Sequence, residues 1–331
     1  MEEQSGRAFR PAWWLPGPHA QTMWGKFFRR SEIHDTRIER LETSDGDFLN
    51  LHHLDAAANS PVLLLLHGLE GSVRSHYIQG LFTEARRRGW RAAVLVFRSC
   101  GGELNKLERS YHSGETGDLA FVLGHLQASF PDVPFVVAGI SLGGNVLLKY
   151  LGEQGPRISP RIKGAAAVSV PYDLLRSSRH IDQGFARLYQ WNFLRSLRAK
   201  ALAKRKQFPG IPAGDHLAAA RTMFEFDEHF TAPVHGFRGA EDYYSKSSSL
   251  HWLESISINT LLLSAVDDPF LPPQVLDEVR KKAVANPRLH VEFPEHGGHV
   301  GFITGRNPLS PVYYLEHRVS EFLARQLIDG D

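Results

Sequence analysis

The stretch Phe135–Tyr150, FVVAGISLGGNVLLKY, runs a β-branched apolar segment into Gly139-Ile140-Ser141-Leu142-Gly143 and then into a helical pattern. Val136 and Val137 predict a buried strand, and Val146, Leu147, Leu148, Tyr150 and Leu151 predict a helix that begins at the serine. A serine at the tip of such a turn sits in strained backbone with its hydroxyl exposed. Glycines two residues to either side let strand and helix approach without Cβ clashes. The bare G-x-S-x-G pattern is common by chance, so its strand–turn–helix setting is what marks Ser141 as a candidate nucleophile.

Outward from this stretch the chain alternates. Pro61–His67, Arg91–Phe97 and Pro134–Ile140 predict strands, separated by helices over Ser75–Arg88 and Glu115–Phe130. Downstream, Ile162–Val170, Thr260–Ala265 and Leu289–Phe293 predict further strands, with helices over Gln274–Val284 and Tyr313–Ile328. This grammar implies a parallel sheet with helices on both faces. Before it, Thr36–Glu42 and Phe48–Leu54 alternate around Ser44-Asp45-Gly46-Asp47, which predicts an antiparallel hairpin.

Two segments stand outside the alternation. Residues 171–258 are far longer than a strand-to-strand crossover needs and read as a helical cap inserted over the sheet edge. Their aromatics, Phe185, Tyr189, Trp191, Phe226, Phe230 and Tyr244 among them, fit an apolar acyl pocket or the core of the cap itself. The basic run Arg195, Arg198, Lys200, Lys204, Arg205 and Lys206 reads as a solvated helix face, with contact to an anionic surface or nucleic acid as the alternative. Residues 1–35 read as an N-terminal extension packed on the body. Pro11, Pro16 and Pro18 argue for an extended path there, and Trp13, Trp14, Trp24, Phe27 and Phe28 are expected to bury, with an interaction patch as the alternative. The whole of 1–331 is thus one domain with an extension and a cap.

The 331 residues, 42% hydrophobic and 22% charged, suit a globular enzyme, and a net charge of +2 supplies no field that would hold nucleic acid. The single cysteine, Cys100, cannot form an internal disulfide and points to a reducing compartment, the cytoplasm. The first residues lack the apolar core of a signal peptide, and no run approaches a membrane span, which leaves only peripheral membrane contact open. Oligomeric state is not legible.

A serine hydroxyl needs a general base within reach and an acid group that orients that base. On a strand-to-helix turn of this kind the order along the chain is serine, acid, histidine. Asp267 and Asp268 follow the strand ending at Ala265. Asp268 is preferred because Pro269 restricts its backbone, with Asp267 as the alternative that caps the loop. His296 and His299 flank Gly297-Gly298 after the last strand. His299 is preferred because the glycine pair lets the loop fold back over the sheet edge, and His296 is assigned a loop hydrogen bond. The backbone N–H groups of Leu142, next to the serine, and Leu69, in the loop His67-Gly68-Leu69-Glu70-Gly71, are the candidate oxyanion donors. His67 and Cys100 are read as structural. No H-E-x-x-H, paired-cysteine or phosphate-loop motif is present, so neither metal nor cofactor is expected.

With those residues in place, the chain resembles the YheT-like branch of the α/β-hydrolase superfamily, related to lipid-active animal hydrolases. The resemblance rests on PWWLPGPHAQT from Pro11, HGLEGS from His67, RSYHSGET from Arg109, GISLGGN from Gly139, DDPF from Asp267 and HGGHVGF from His296. It implies an α/β-hydrolase fold, cofactor-free ester hydrolysis, and relay roles for Ser141, Asp268 and His299. Ser99 departs from the glycine usual in that family, and Ala20 replaces a bulkier apolar residue. The expectation is therefore a serine hydrolase of small-molecule or acyl-lipid esters. Acyl transfer through the same triad and a non-catalytic binding module on the same scaffold remain as alternatives.

Overall fold

The computed structural model describes residues 9–29, 32–211 and 214–328. Its first two strands, β1 (Arg37–Glu42) and β2 (Phe48–Leu54), form the antiparallel hairpin. With β3 (Val62–Leu66), β4 (Arg91–Val96), β5 (Phe135–Ile140), β6 (Ile162–Val168), β7 (Thr260–Leu263) and β8 (Leu289–Glu292) they make an eight-stranded sheet of order β1-β2-β4-β3-β5-β6-β7-β8. β2 runs antiparallel to β4, and every pairing from β4 to β8 is parallel. A short ribbon of β9 (Ile303–Thr304) and β10 (Val312–Tyr313) lies apart from it.

Full burial on two faces explains the unbroken apolar strands. In β5, Phe135 and Val137 enter one core while Val136, Ala138 and Ile140 enter the other, and β3 divides in the same way. Helices α3 (Gly117–Ser129), α4 (Leu142–Gln154) and α11 (Pro273–Ala285) cover the first face. On the other side pack α2 (His76–Arg87) and α12 (Tyr314–Ile328). A buried ion cluster closes the hairpin end: Arg98 donates to Asp47 at 2.9 Å, to Asp45 at 3.0 Å and to both oxygens of Asp118. The neighbouring Ser99 holds φ 64°, a region natural to glycine, and its hydroxyl donates to Asn105 Oδ1 at 2.6 Å.

Between β6 and β7 the chain is helical: α5 (Leu174–His180), α6 (Ala186–Gln207), α7 (Gly214–Ala219), α8 (Met223–Phe226), α9 (Ala232–Val234) and α10 (Ala240–Ser247), with a π-turn at Asp227–Thr231. Two small cores hold this segment together, one around Leu194, Leu197, Phe226 and Phe230, the other around Leu174, Tyr243 and Tyr244. The basic run of α6 is not a solvated face throughout. Lys204 is buried with its ammonium on the Asn105 and Leu107 carbonyls, and Lys200 pairs with Glu70, because both lie on the inward side of the helix.

The N-terminal reading needs two corrections. Residues Gly17–Phe27 form a helix, α1, that the proline count argued against. Pro18 stands at its first turn, where a missing N–H breaks no hydrogen bond. Second, Trp13, Phe27 and Phe28 are exposed, whereas Trp14 and Trp24 pack edge to face at 4.7 Å. Of the extension placed at residues 1–35, residues 1–8 and 30–31 lie outside the described residues, as do 212–213 of the segment 171–258.

Glycine positions give a direct test of this packing. A Cβ on Gly143 would lie 2.6 Å from the backbone oxygens of Leu66 and His67, which cannot swing aside. Gly124, on the exposed side of α3, has open space around it. Gly143→Ala is expected to lower unfolding free energy in urea by about 1–3 kcal/mol or more. Gly124→Ala is expected to raise it by about 0.5–1 kcal/mol.

Candidate active site

Ser141 occupies the turn between β5 and α4 at φ 54°, ψ −119°, far from any comfortable conformation for a residue with a Cβ. What holds it there is close packing of glycine. A Cβ on Gly139 would stand 2.4 Å from Gly143 O, and one on Gly144 would strike Val170. The serine N–H donates to Val168 O of the adjacent strand at 2.8 Å, so the turn remains tied to the sheet while its hydroxyl projects from the sheet edge.

That hydroxyl lies 3.0 Å from His299 Nε2. The other ring nitrogen, Nδ1, lies 2.8 Å from Asp268 Oδ2 and 3.1 Å from Oδ1. An ionised carboxylate only accepts, so the proton belongs on Nδ1. Nε2 is then left as acceptor for the serine O–H. The Asp268 side chain is fully buried and its Oδ1 also accepts the Phe270 N–H at 2.8 Å, which fixes the carboxylate plane. The Phe270 ring stacks on the imidazole at 4.1 Å. Asp267 does a different job: it accepts the Gly298 N–H at 2.9 Å and faces His296 Nδ1 at 3.2 Å, fastening the outside of the same loop. His290 is exposed on β8, remote from this line of contacts.

The histidine loop is gripped by the N-terminal helix. The His299 N–H donates to Thr22 Oγ1 at 2.9 Å, while Gln21 brackets Ile303, accepting its N–H at 2.8 Å and donating to its carbonyl at 3.1 Å. A Cβ on Gly298 would lie 2.4 Å from Pro18 O, and one on Gly301 would lie 2.7 Å from Gln21 O. Val300 and Phe302 accept positive φ under this clamp, and Val300 N–H donates to Ser169 Oγ at 3.1 Å. These N-terminal roles were missed in sequence. The available signal was polar Gln21 and Thr22 set among aromatics.

The loop after β3 meets the serine from the other side. A Cβ on Gly68 would lie 3.2 Å from Ser141 Cβ. Gly68 N–H donates to Tyr77 OH at 2.9 Å and Glu70 N–H to Tyr111 OH at 3.1 Å, so Leu69 sits between two anchored residues. Leu142 is the first residue of α4, whose N–H has no acceptor within its own helix. His67 fixes the base of the loop, its Nδ1–H donating to Gly68 O at 2.7 Å and its Nε2 accepting Phe97 N–H at 3.1 Å. Burial holds its pKa down at about 4, so it stays neutral. Glu70 reaches across to α6, accepting from Lys200 at 2.8 Å and from Ser196, and to Tyr111 at 2.8 Å. Cys100 lies partly buried beside it, and its surroundings push its thiol up to about 12, which leaves it unreactive.

Ser141, His299, Leu69 and Leu142 all open onto one cavity of about 1040 Å³. Its far walls are apolar side chains of the helical segment, including Phe193, Leu197, Phe226 and Phe230. Several of them also fill the small core around Leu194, so the aromatics of this segment serve both purposes. Among the described residues, no group of three or more His, Cys, Asp or Glu is placed to hold a metal ion, and no helix is long and apolar enough to cross a membrane.

Comparison with known proteins agrees with this architecture. Residues 61–306 match the family described as the alpha/beta hydrolase fold. YheT of Escherichia coli strain K12, which carries a provisional esterase name, is 39% identical over 98% of this chain and 96% of its own. A phospholipase of Bos taurus, ABHD3, is 30% identical over 92% of this chain and 75% of its own. Among solved structures, the Pyrococcus furiosus esterase Pf2001 superposes with a TM-score of 0.60 at 19% identity, covering 88% of this chain and 91% of that one, a likeness of fold.

Neutral buried His67 makes stability depend on pH. Its folded pKa lies below the unfolded value near 6.5, so the unfolded chain takes up the proton first. Its contribution is whole above pH 6.5 and is lost as pH falls toward 4. Going from pH 7.5 to pH 5 is expected to remove about 2 kcal/mol through this group alone. The His67 ring resonances in NMR should not titrate across that range, and a midpoint near 6.5 would contradict the neutral assignment.

Proposed function

The chain belongs to the α/β-hydrolase family, and on that premise we propose that it is a carboxylic ester hydrolase working through Ser141, His299 and Asp268. The observation that carries this reading is the unbroken line of hydrogen bonds from Ser141 Oγ through both nitrogens of His299 to Asp268, 3.0 Å and 2.8 Å long. Its relatives' names, an esterase and a phospholipase, point to the same chemistry.

In the first half-reaction Ser141 Oγ attacks the ester carbonyl as its proton passes to His299 Nε2. Asp268, facing Nδ1–H, stabilises the imidazolium that results. Charge developing on the former carbonyl oxygen is met by the N–H groups of Leu69 and Leu142, an arrangement worth a few kcal/mol in the transition state. Collapse of the tetrahedral species expels the alcohol, which takes the proton from Nε2 and leaves an acyl group on Ser141. A water molecule then gives a proton to Nε2 and adds to the acyl carbon, and the second collapse returns the proton to Oγ and frees the acid. No cofactor enters either half. Residues 171–258 act as a helical cap, and the apolar cavity beneath it suits the acyl chain of a lipid ester.

Hydrolysis of p-nitrophenyl esters of graded acyl length tests this assignment. Ser141→Ala and His299→Ala are each expected to lower kcat by at least about 10⁴-fold with the fold intact by circular dichroism. Asp268→Asn is expected to fall by a comparable factor, and Asp267→Asn far less. A Ser141→Ala variant that keeps the wild-type rate would remove the proposal.

A further inference from the structure

Helix α6 has two working faces. Its inward face buries Gln190, Leu194, Leu197, Ala201 and Lys204. On the opposite side Leu188, Trp191, Arg195, Leu202 and Lys206 recur at i, i+3, i+7, i+14 and i+18, which brings them into one narrow stripe on a helix of 3.6 residues per turn. Leu188 and Trp191 are each 57% exposed. All 22 residues of α6 lack Asp and Glu. A basic helix that turns large apolar side chains to water, when its buried face is already satisfied, has a second partner to meet.

The stripe does not stand alone. Leu188, Trp191 and Arg195 line the cavity that holds Ser141, and so do the exposed Phe185 just before α6 and the exposed Phe27 and Ile33 from the α1 side. Side chains that line a cavity and also face solvent mark where it opens. Lone exposed apolar residues are ordinary, but five at the mouth of one cavity are a surface. Two of them carry a cation over the ring: the Arg195 guanidinium lies 5.5 Å from the Trp191 centroid and the Lys26 ammonium 5.7 Å from that of Phe27. The cavity mouth also includes Arg74. Among the described residues, none of Lys26, Arg74 and Arg195 is paired with a carboxylate, whereas Arg29 and Lys200, which also line the cavity, pair with Glu316 and Glu70.

We propose that the outward face of α6 and the end of α1 dock this protein on an anionic lipid bilayer, so that the cavity opens directly onto the membrane. Aromatic and aliphatic side chains would enter the headgroup boundary while the cations stacked on them meet lipid phosphates. Nucleic acid would satisfy the charge and leave Leu188 and Trp191 in water; a bilayer satisfies both. The surface serves the acyl-ester reading of the site, yet its occupancy can be measured without turnover.

Flotation of the full-length Ser141→Ala protein with vesicles separates the two questions. Vesicles of phosphatidylcholine containing about 30% phosphatidylglycerol are expected to bind it at least about tenfold more strongly than phosphatidylcholine alone, with binding weakened by salt. Leu188→Ser/Trp191→Ser, and separately Arg195→Glu, should each weaken that binding by about tenfold or more at unchanged melting temperature. Absence of binding to anionic vesicles, or variants that bind as the parent does, would overturn the proposal. So would a dimer in sedimentation velocity that the double variant dissociates, which would assign the face to a second copy. Retention of RNA without vesicle binding would assign it to nucleic acid and overturn the proposal equally.

Discussion

Ser141 is held at φ 54° and ψ −119°, a conformation that costs on the order of 1–3 kcal/mol for a residue bearing a Cβ, and the rest of the site is arranged around keeping it there. The cost is offset by packing available only to glycine: Gly139, Gly143 and Gly144 bring β5, α4 and the loop after β3 within backbone contact. One strained residue thereby aims three things at once. It projects the hydroxyl from the sheet edge, starts α4 with its first N–H beside that hydroxyl, and brings Gly68 against the serine Cβ.

A second constraint acts on the histidine. His299 belongs to a loop with four residues at positive φ, Gly297, Gly298, Val300 and Phe302, which cannot hold that shape by local preference. Support comes from distant chain: Thr22 on the His299 N–H, Gln21 on both polar groups of Ile303, Ser169 on the Val300 N–H, and Asp267 on Gly298. The N-terminal helix is therefore part of the site without touching the reacting atoms. On the opposite side Glu70 ties the loop bearing Leu69 to α6, so the helix that carries the solvent-facing stripe is also fastened to the site.

The parallel sheet was legible because its strands are buried on both faces and so read as unbroken apolar runs; Val62–Leu66 and Phe135–Ile140 needed no context. The residues Ser141, Asp268 and His299, which the structure brings into one line, were each flagged by a local rule: a glycine-framed turn, a proline after the acid, and a glycine pair before the histidine. What escaped was long-range or depended on helix phase. Proline at a first helical turn is compatible with a helix, and α1 was lost by counting prolines without placing them. Lys200 and Lys204 looked solvated in a basic run until the helix turned them inward, and Phe27 and Phe28 looked buried for want of any pattern that says otherwise. The partners of Gln21 and Thr22 lie some 280 residues away, and no local reading reaches them.

Reaction of the purified protein with a fluorophosphonate probe, followed by peptide mass analysis, tests most directly whether this geometry activates the serine. The account predicts a single phosphonylated residue, Ser141, with labelling abolished in Ser141→Ala and slowed by several orders of magnitude in His299→Ala. Labelling at another residue, or labelling of Ser141 at an undiminished rate without His299, would contradict it.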